Sequence, residues 1–182
     1  MAKTINTVSV YRSLLQEDDY EIKAVAIRQL LDNINLHWTD IANDINSMYQ
    51  PSWFSQNLID DPSFPDRELV ALLLAKIYYF LNDYDEALSY ALQAGSHFQI
   101  NSQTQSDFTE ILINKAIEKY IKGCQEKTED PEHKQYRKIV DIAIDNSIAK
   151  GDLKCPLGIS LDTQDISLFK RVASLMNIHR VI

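Results

Sequence analysis

From Leu69 to Leu81 the chain is apolar nearly all the way round a helix. Leu69, Val70, Leu72, Leu73, Leu74, Ile77, Tyr78, Tyr79, Phe80 and Leu81 leave no clean polar face. Such a helix has to be enclosed by neighbours, because a lone one meets water with apolar side chains on every side. The next residues supply one neighbour. Asn82-Asp83 reads as a tight turn, and Asp85-Glu86 opens a second helix carrying Ala87, Leu88, Ala91, Leu92 and Ala94. The small residues Ala87, Ala91 and Ala94 let that helix approach the first closely. Gly95 stands where a left-handed C-cap is expected.

Helical periodicity recurs along most of the chain. Thr4 to Leu15 carries Val8, Tyr11, Leu14 and Leu15 on one stripe. The acidic turn Glu17-Asp18-Asp19 suits the N-terminus of the next helix, about Tyr20 to Asn35, whose apolar face is Ile22, Ala26, Ile27, Leu30, Leu31 and Ile34. Trp38 to Met48 forms another. Residues 49–65, Tyr49 to Pro65, read as an irregular loop, because Pro51, Pro62 and Pro65 end helices there. Asp66 is placed to cap the helix that follows. After Gly95, Ser106 or Asp107 caps a helix with Phe108, Ile111, Leu112, Ala116, Ile117, Tyr120, Ile121 and Cys124 inward. Pro131 opens another that reaches about Lys150, with Ile139, Val140, Ala143 and Ile148 inward. A short helix spans about Leu153 to Leu161. Asp162 or Thr163 starts the last, with Ile166, Leu168, Phe169, Val172, Leu175 and Met176 apolar.

Only 4 Gly and 5 Pro interrupt these patterns, and no strand pattern is present. The expected fold is therefore all-α: roughly nine or ten helices, joined by short turns that force antiparallel neighbours. Stacked antiparallel helix pairs of this kind make a TPR/HEAT-like α-solenoid rod. Leu69 to Gly95 has the layout of a tetratricopeptide hairpin, which Ala149-Lys150-Gly151-Asp152 repeats more weakly. We read residues 1–182 as a single helical-repeat domain.

The net charge of −8 makes an acidic surface, which repels phosphate backbones and anionic membranes. Nucleic acid and membrane are thus not expected as partners. No apolar run approaches the ~20 residues that span a bilayer, and no secretory signal is seen. Two cysteines, Cys124 and Cys155, lie outside any Cys-x-x-Cys pattern, which suits a reducing compartment; we expect cytoplasm and nucleus.

No residue set has the spacing of a catalytic, metal or cofactor site. His37, His97, His133 and His179 are scattered, with no partner at metal-ligand spacing. His133, in a charged stretch, reads as a solvated surface residue and His97 as a loop residue. Each cysteine reads as a buried structural thiol with no neighbouring His or basic cluster. There is no Gly-rich phosphate loop and no Gly-x-Ser-x-Gly turn. We expect no enzyme, no cofactor and no metal. The one feature that packing explains poorly is the set Trp53, Phe54 and Phe64 in the polar, proline-rich stretch. Either these rings tuck back over the helices, or they anchor a partner, since aromatics dominate interface hot spots. They are the candidate partner contacts.

Several segments carry a family resemblance. Ile34-Asn35-Leu36-His37-Trp38-Thr39-Asp40-Ile41 resembles the early Trp-containing helix of the largest non-ATPase subunit of the 26S proteasome regulatory particle. Leu73-Leu74-Ala75-Lys76-Ile77-Tyr78-Tyr79-Phe80-Leu81, followed by Tyr84 to Gly95, is similar to that family's central hairpin. The similarity continues through Ile111 to Cys124, Leu157 to Asp162 and Leu168-Phe169. The resemblance implies the N-terminal region of a much larger subunit, since the chain ends before the family's proteasome/cyclosome repeats. It implies a non-catalytic scaffold of the regulatory-particle base, with other base and lid subunits as partners and a role in ubiquitin-dependent protein degradation. It carries over no catalytic residue. The alternative is a free-standing TPR-like peptide-binding adaptor. Such grooves present Lys, Arg and Asn to a peptide carboxylate, and here the best hairpin offers only Lys76 and Asn82. A helical enzyme ranks third. For the final helix, Ile166 to Ile182, we expect an apolar face that frays or lets the chain self-associate.

Overall fold

The computed structural model describes residues 7–46, 56–100, 106–127 and 130–179. The expected helical start at Thr4, Met48, Trp53, Phe54 and the last residues of the expected final helix lie outside the described residues. Every regular element among the described residues is a helix: α1 (Thr7–Gln16), α2 (Tyr20–Asp32), α3 (Ile34–Asn46), α4 (Gln56–Asp60), α5 (Arg67–Phe80), α6 (Tyr84–Gln93), α7 (Asp107–Glu126), α8 (Pro131–Ala149), α9 (Lys154–Asp162) and α10 (Ile166–His179), with a short 3-10 turn, Gly95–His97, after α6. The helices pack as sequence neighbours, α1 on α2, α5 on α6, α7 on α8 and α9 on α10. The fold is all-α, as its periodicity requires.

The chain gathers into two compact units, Met1–Phe98 and Gln99–Ile182, where the sequence leads to one domain over 1–182. In the first unit α5 touches α2, α3, α4 and α6. Val70, Ala71, Leu73, Leu74, Ala75 and Ile77 are all buried, so the all-round apolar helix is enclosed as expected. Ala87, Ala91 and Ala94 are fully covered, which is how α6 comes close to α5. Ile27, Leu30, Ile34 and Phe64 complete this core. In the second unit Val140, Ile144 and Ile159 form a core joined by Ile117, Ile148 and Leu168.

Capping side chains account for four of the helix starts. Carboxylate or hydroxyl oxygens of Asp19, Asp83, Ser106 and Asp130 accept from the amides of Glu21, Glu86, Thr109 and Glu132. Three differences stand out. Asp66 occupies the N-cap of α5 without capping it; its carboxylate pairs with Arg28 of α2, so a charge partner has outcompeted the backbone amide. The α2–α3 break falls at Asn33, whose side-chain amide donates to the Gln29 carbonyl (2.9 Å), rather than before Trp38. Inside the expected 49–65 loop, Gln56–Asp60 is helical. There Leu58 is buried and Ile59 packs on the first core, so burial holds a turn that the local sequence does not.

Candidate functional site

Of the three aromatics marked as partner contacts, Trp53 and Phe54 lie outside the described residues. Phe64 is 1% exposed and meets Tyr20 edge-on at 5.5 Å. Asp61 explains why it turns inward. The Asp61 carboxylate accepts from the Tyr20 hydroxyl (2.6 Å) and the Ser63 amide (2.9 Å), while its carbonyl accepts from the Phe64 amide (3.1 Å). This folds residues 61–64 back on α2 and delivers the ring to the core, away from any partner. The Tyr20 hydrogen bond holds the Asp61 carboxyl below the usual carboxylate range, and the same bond pushes the Tyr20 phenol up.

The best candidate surface is the outer face of α10. The sequence pattern grouped six apolar residues there, and the structure divides them. Val172 is fully buried, with Leu168 on the second core. Ile166, Phe169 and Met176 are 68%, 41% and 43% exposed, and Leu161 of α9 is 59% exposed. Ile166, Phe169, Ala173 and Met176 are spaced three, four and three residues apart, so they share one stripe. That spacing is the seam by which one helix receives another. Lys170 is exposed beside the stripe. Arg171 is held to Asp145 of α8 at 2.8 Å, fixing the helix's rotation. In the first unit Ile22 and Val25 of α2 are also exposed, although the sequence pattern set Ile22 on the inner face.

A groove of about 310 Å³ lies within the second unit, floored by Ile113, Ile117 and Ala143 and rimmed by Asn114, Asn146 and Lys150. Glu110 and Asp152 share its wall, so the cation is offset by two carboxylates. A basic clamp for a peptide carboxylate needs the opposite balance. In the first unit, Asn82 is engaged in its turn, accepting from the Tyr84 hydroxyl at 2.9 Å. Lys76 is half-buried, and its ammonium pKa is pushed below the usual value by that burial, against the pull of Asp32.

The structure corrects the reading of His133 and Cys124. His133 is half-buried, not a free surface residue. Its ring stacks on Tyr120 at 4.9 Å, and its Nε2 lies 3.8 Å from Cys124 Sγ. Gly123 makes room: a Cβ there would fall 2.3 Å from His133 Nδ1. Burial, and then a hydrogen bond to Cys124, push the Tyr120 phenol up to about 12. Nine positions separate the thiol from the imidazole across the α7–α8 connection, so no local motif announced the contact; Gly123 inside a helix was the one signal. Cys155 is also half-buried, and its thiol is pushed up by that burial. His97 lies near Glu68, Nε2 to Oε2 3.9 Å, with both side chains largely exposed. Among the described residues no three His, Cys, Asp or Glu side chains converge as a metal site. No described helix is long and apolar enough to cross a membrane.

Residues 6–179 match the family described as the N-terminal domain of 26S proteasome subunit RPN2. The 26S proteasome regulatory subunit RPN2 of Eremothecium gossypii is 30% identical over 172 residues, which is 93% of this chain and 18% of that protein. The 26S proteasome non-ATPase regulatory subunit 1 of Dictyostelium discoideum is 33% identical over 171 residues, 93% of this chain and 17% of that protein. RPN2 of Saccharomyces cerevisiae is 28% identical over 167 residues, 87% of this chain and 17% of that protein. The chain thus spans less than a fifth of the length of these relatives. A match that runs across both compact units places this protein in the family of RPN2 N-terminal domains.

Proposed function

We propose that this chain is a non-catalytic scaffold segment of the proteasome regulatory particle, acting in cytoplasm and nucleus by contact with base and lid subunits. The observation that carries the reading is the family match over residues 6–179 to proteins named as proteasome regulatory subunits. The exposed Ile166, Phe169 and Met176 stripe supports a contact role, because a seam of that spacing accommodates an amphipathic partner helix. Lys170 beside it favours a partner helix with a carboxylate on its flank. Affinity capture of the endogenous protein, followed by mass spectrometry, tests the proposal. Recovery of proteasomal ATPases and lid subunits supports it. Recovery of the protein alone, or with a chaperone, overturns it and leaves the peptide-adaptor reading.

A further inference from the structure

Packing alone accounts poorly for the cluster at the α7–α8 junction. Helix α7 gives up a side chain at Gly123 so that an imidazole can lie against its backbone. The imidazole presents Nε2 to the sulfur of Cys124. The Tyr120 ring stacks on that imidazole, 4.9 Å from it. One thiol therefore faces a base, the group that a thiol needs to become a nucleophile. An open cleft of about 200 Å³, lined by Lys119, Lys122, Gly123, Glu132 and Tyr136, reaches His133 from solvent. Lys122 pairs with Glu126 at 3.9 Å, and Glu132 accepts from the Tyr136 hydroxyl at 2.9 Å. Arg137 and Asp141 of α8 act on Tyr120 in opposite directions.

We propose that Cys124, with His133 as its base, is an oxidation site that takes hydrogen peroxide as its substrate. The step balances as follows. The thiol proton passes to Nε2 in the tautomer that leaves it unprotonated. Sulfur attacks one peroxide oxygen, the S–O bond forms and the O–O bond breaks. The departing hydroxide takes the proton from the imidazolium and leaves as water. Cys124 becomes a sulfenic acid: sulfur is oxidised by two electrons and peroxide is reduced. Cys155 is the internal control, since burial pushes its thiol up.

The test treats the 182-residue chain with hydrogen peroxide and dimedone, then measures the adduct at each cysteine by peptide mass spectrometry. The expected result is labelling of Cys124 about tenfold faster than Cys155. His133→Gln should slow Cys124 towards the Cys155 rate while leaving Cys155 unchanged. Gly123→Ala, which keeps the thiol and the imidazole but displaces the ring, should do the same. Equal rates at the two cysteines in the unaltered chain overturn the proposal without recourse to any variant. So does a Cys124 rate that is unchanged or faster in His133→Gln.

Discussion

Gly95 and Gly151 both sit at positive φ, +53° and +78°, but their surroundings differ. A Cβ on Gly95 would come within 3.0 Å of the Glu68 carboxylate, whereas one on Gly151 meets nothing within 4 Å. Gly151→Ala should therefore cost only the left-handed backbone strain, about 1 kcal/mol. Gly95→Ala should cost about 1–2 kcal/mol, because Glu68 must also give up its place beside Ser96 and His97. Urea unfolding of the two variants checks the order. At Asp61 the sign follows from its lowered pKa. A carboxyl held lower in the folded chain contributes stability that is present above its unfolded value, about 3.9, and lost as pH falls through the folded value. Thermal melts of Asp61→Asn should thus lie below the parent at pH 7, with the gap closing under acid. A gap that persists at pH 2 refutes the Tyr20–Asp61 account.

At the scale of elements, one turn design recurs. After α5, the Asp83 amide donates to the Tyr78 carbonyl and the Asn82 amide to Tyr79. After α8, Asp152 donates to Ser147 and Gly151 to Ile148; after α9, Asp165 donates to Ser160 and Gln164 to Leu161. Each is the paired six-to-one and five-to-two closure of a helix C-terminus around a left-handed residue. In each, the aspartate that follows accepts an amide of the next helix, from Glu86, Lys154 or Ser167. One residue ends a helix and the next begins another, which is how turns this short can reverse the chain. Gln164 holds φ +56° with a side chain poorly suited to it. Gln164→Gly should stabilise the protein by about 0.5–1 kcal/mol. Asp165 also accepts from the Leu168 amide at 3.0 Å, so Asp165→Ala should cost about 1 kcal/mol and lower hydrogen-exchange protection first in α10. Gly151-Asp152 is visible in the sequence as a turn. Gln164-Asp165 is not, because glutamine carries no left-handed preference and Asp162 or Thr163 looks as good a cap.

For the whole molecule, charge and the α10 stripe act against each other. At a net charge of −8 two copies repel, and added salt shortens the range of that repulsion. Any pairing through Ile166, Phe169 and Met176 should therefore strengthen with salt as well as with concentration. Light scattering should show a mass above 20.9 kDa that rises with sodium chloride. Replacing the three residues by serine should return it to the monomer value without loss of helicity. A mass that falls with salt assigns the association to ion pairs instead.

The sequence by itself determined the longer helices, the caps at Asp19 and Ser106, the enclosure of α5 and the close approach of α6. All of these depend on interactions within a few positions: amide to carbonyl four back, cap to third amide, small residue to adjacent helix. Only the tertiary structure decided which apolar residues of α10 face water, since its two stripes are equally apolar and the choice rests on what α9 and α8 offer. The same holds for Phe64, drawn inward by a tyrosine far back in the chain, and for Asp66, taken from its own helix by Arg28. It also holds for His133, seated at Cys124 by an absent side chain. Each was settled by competition between distant partners, and such competition has no period for a sequence to display.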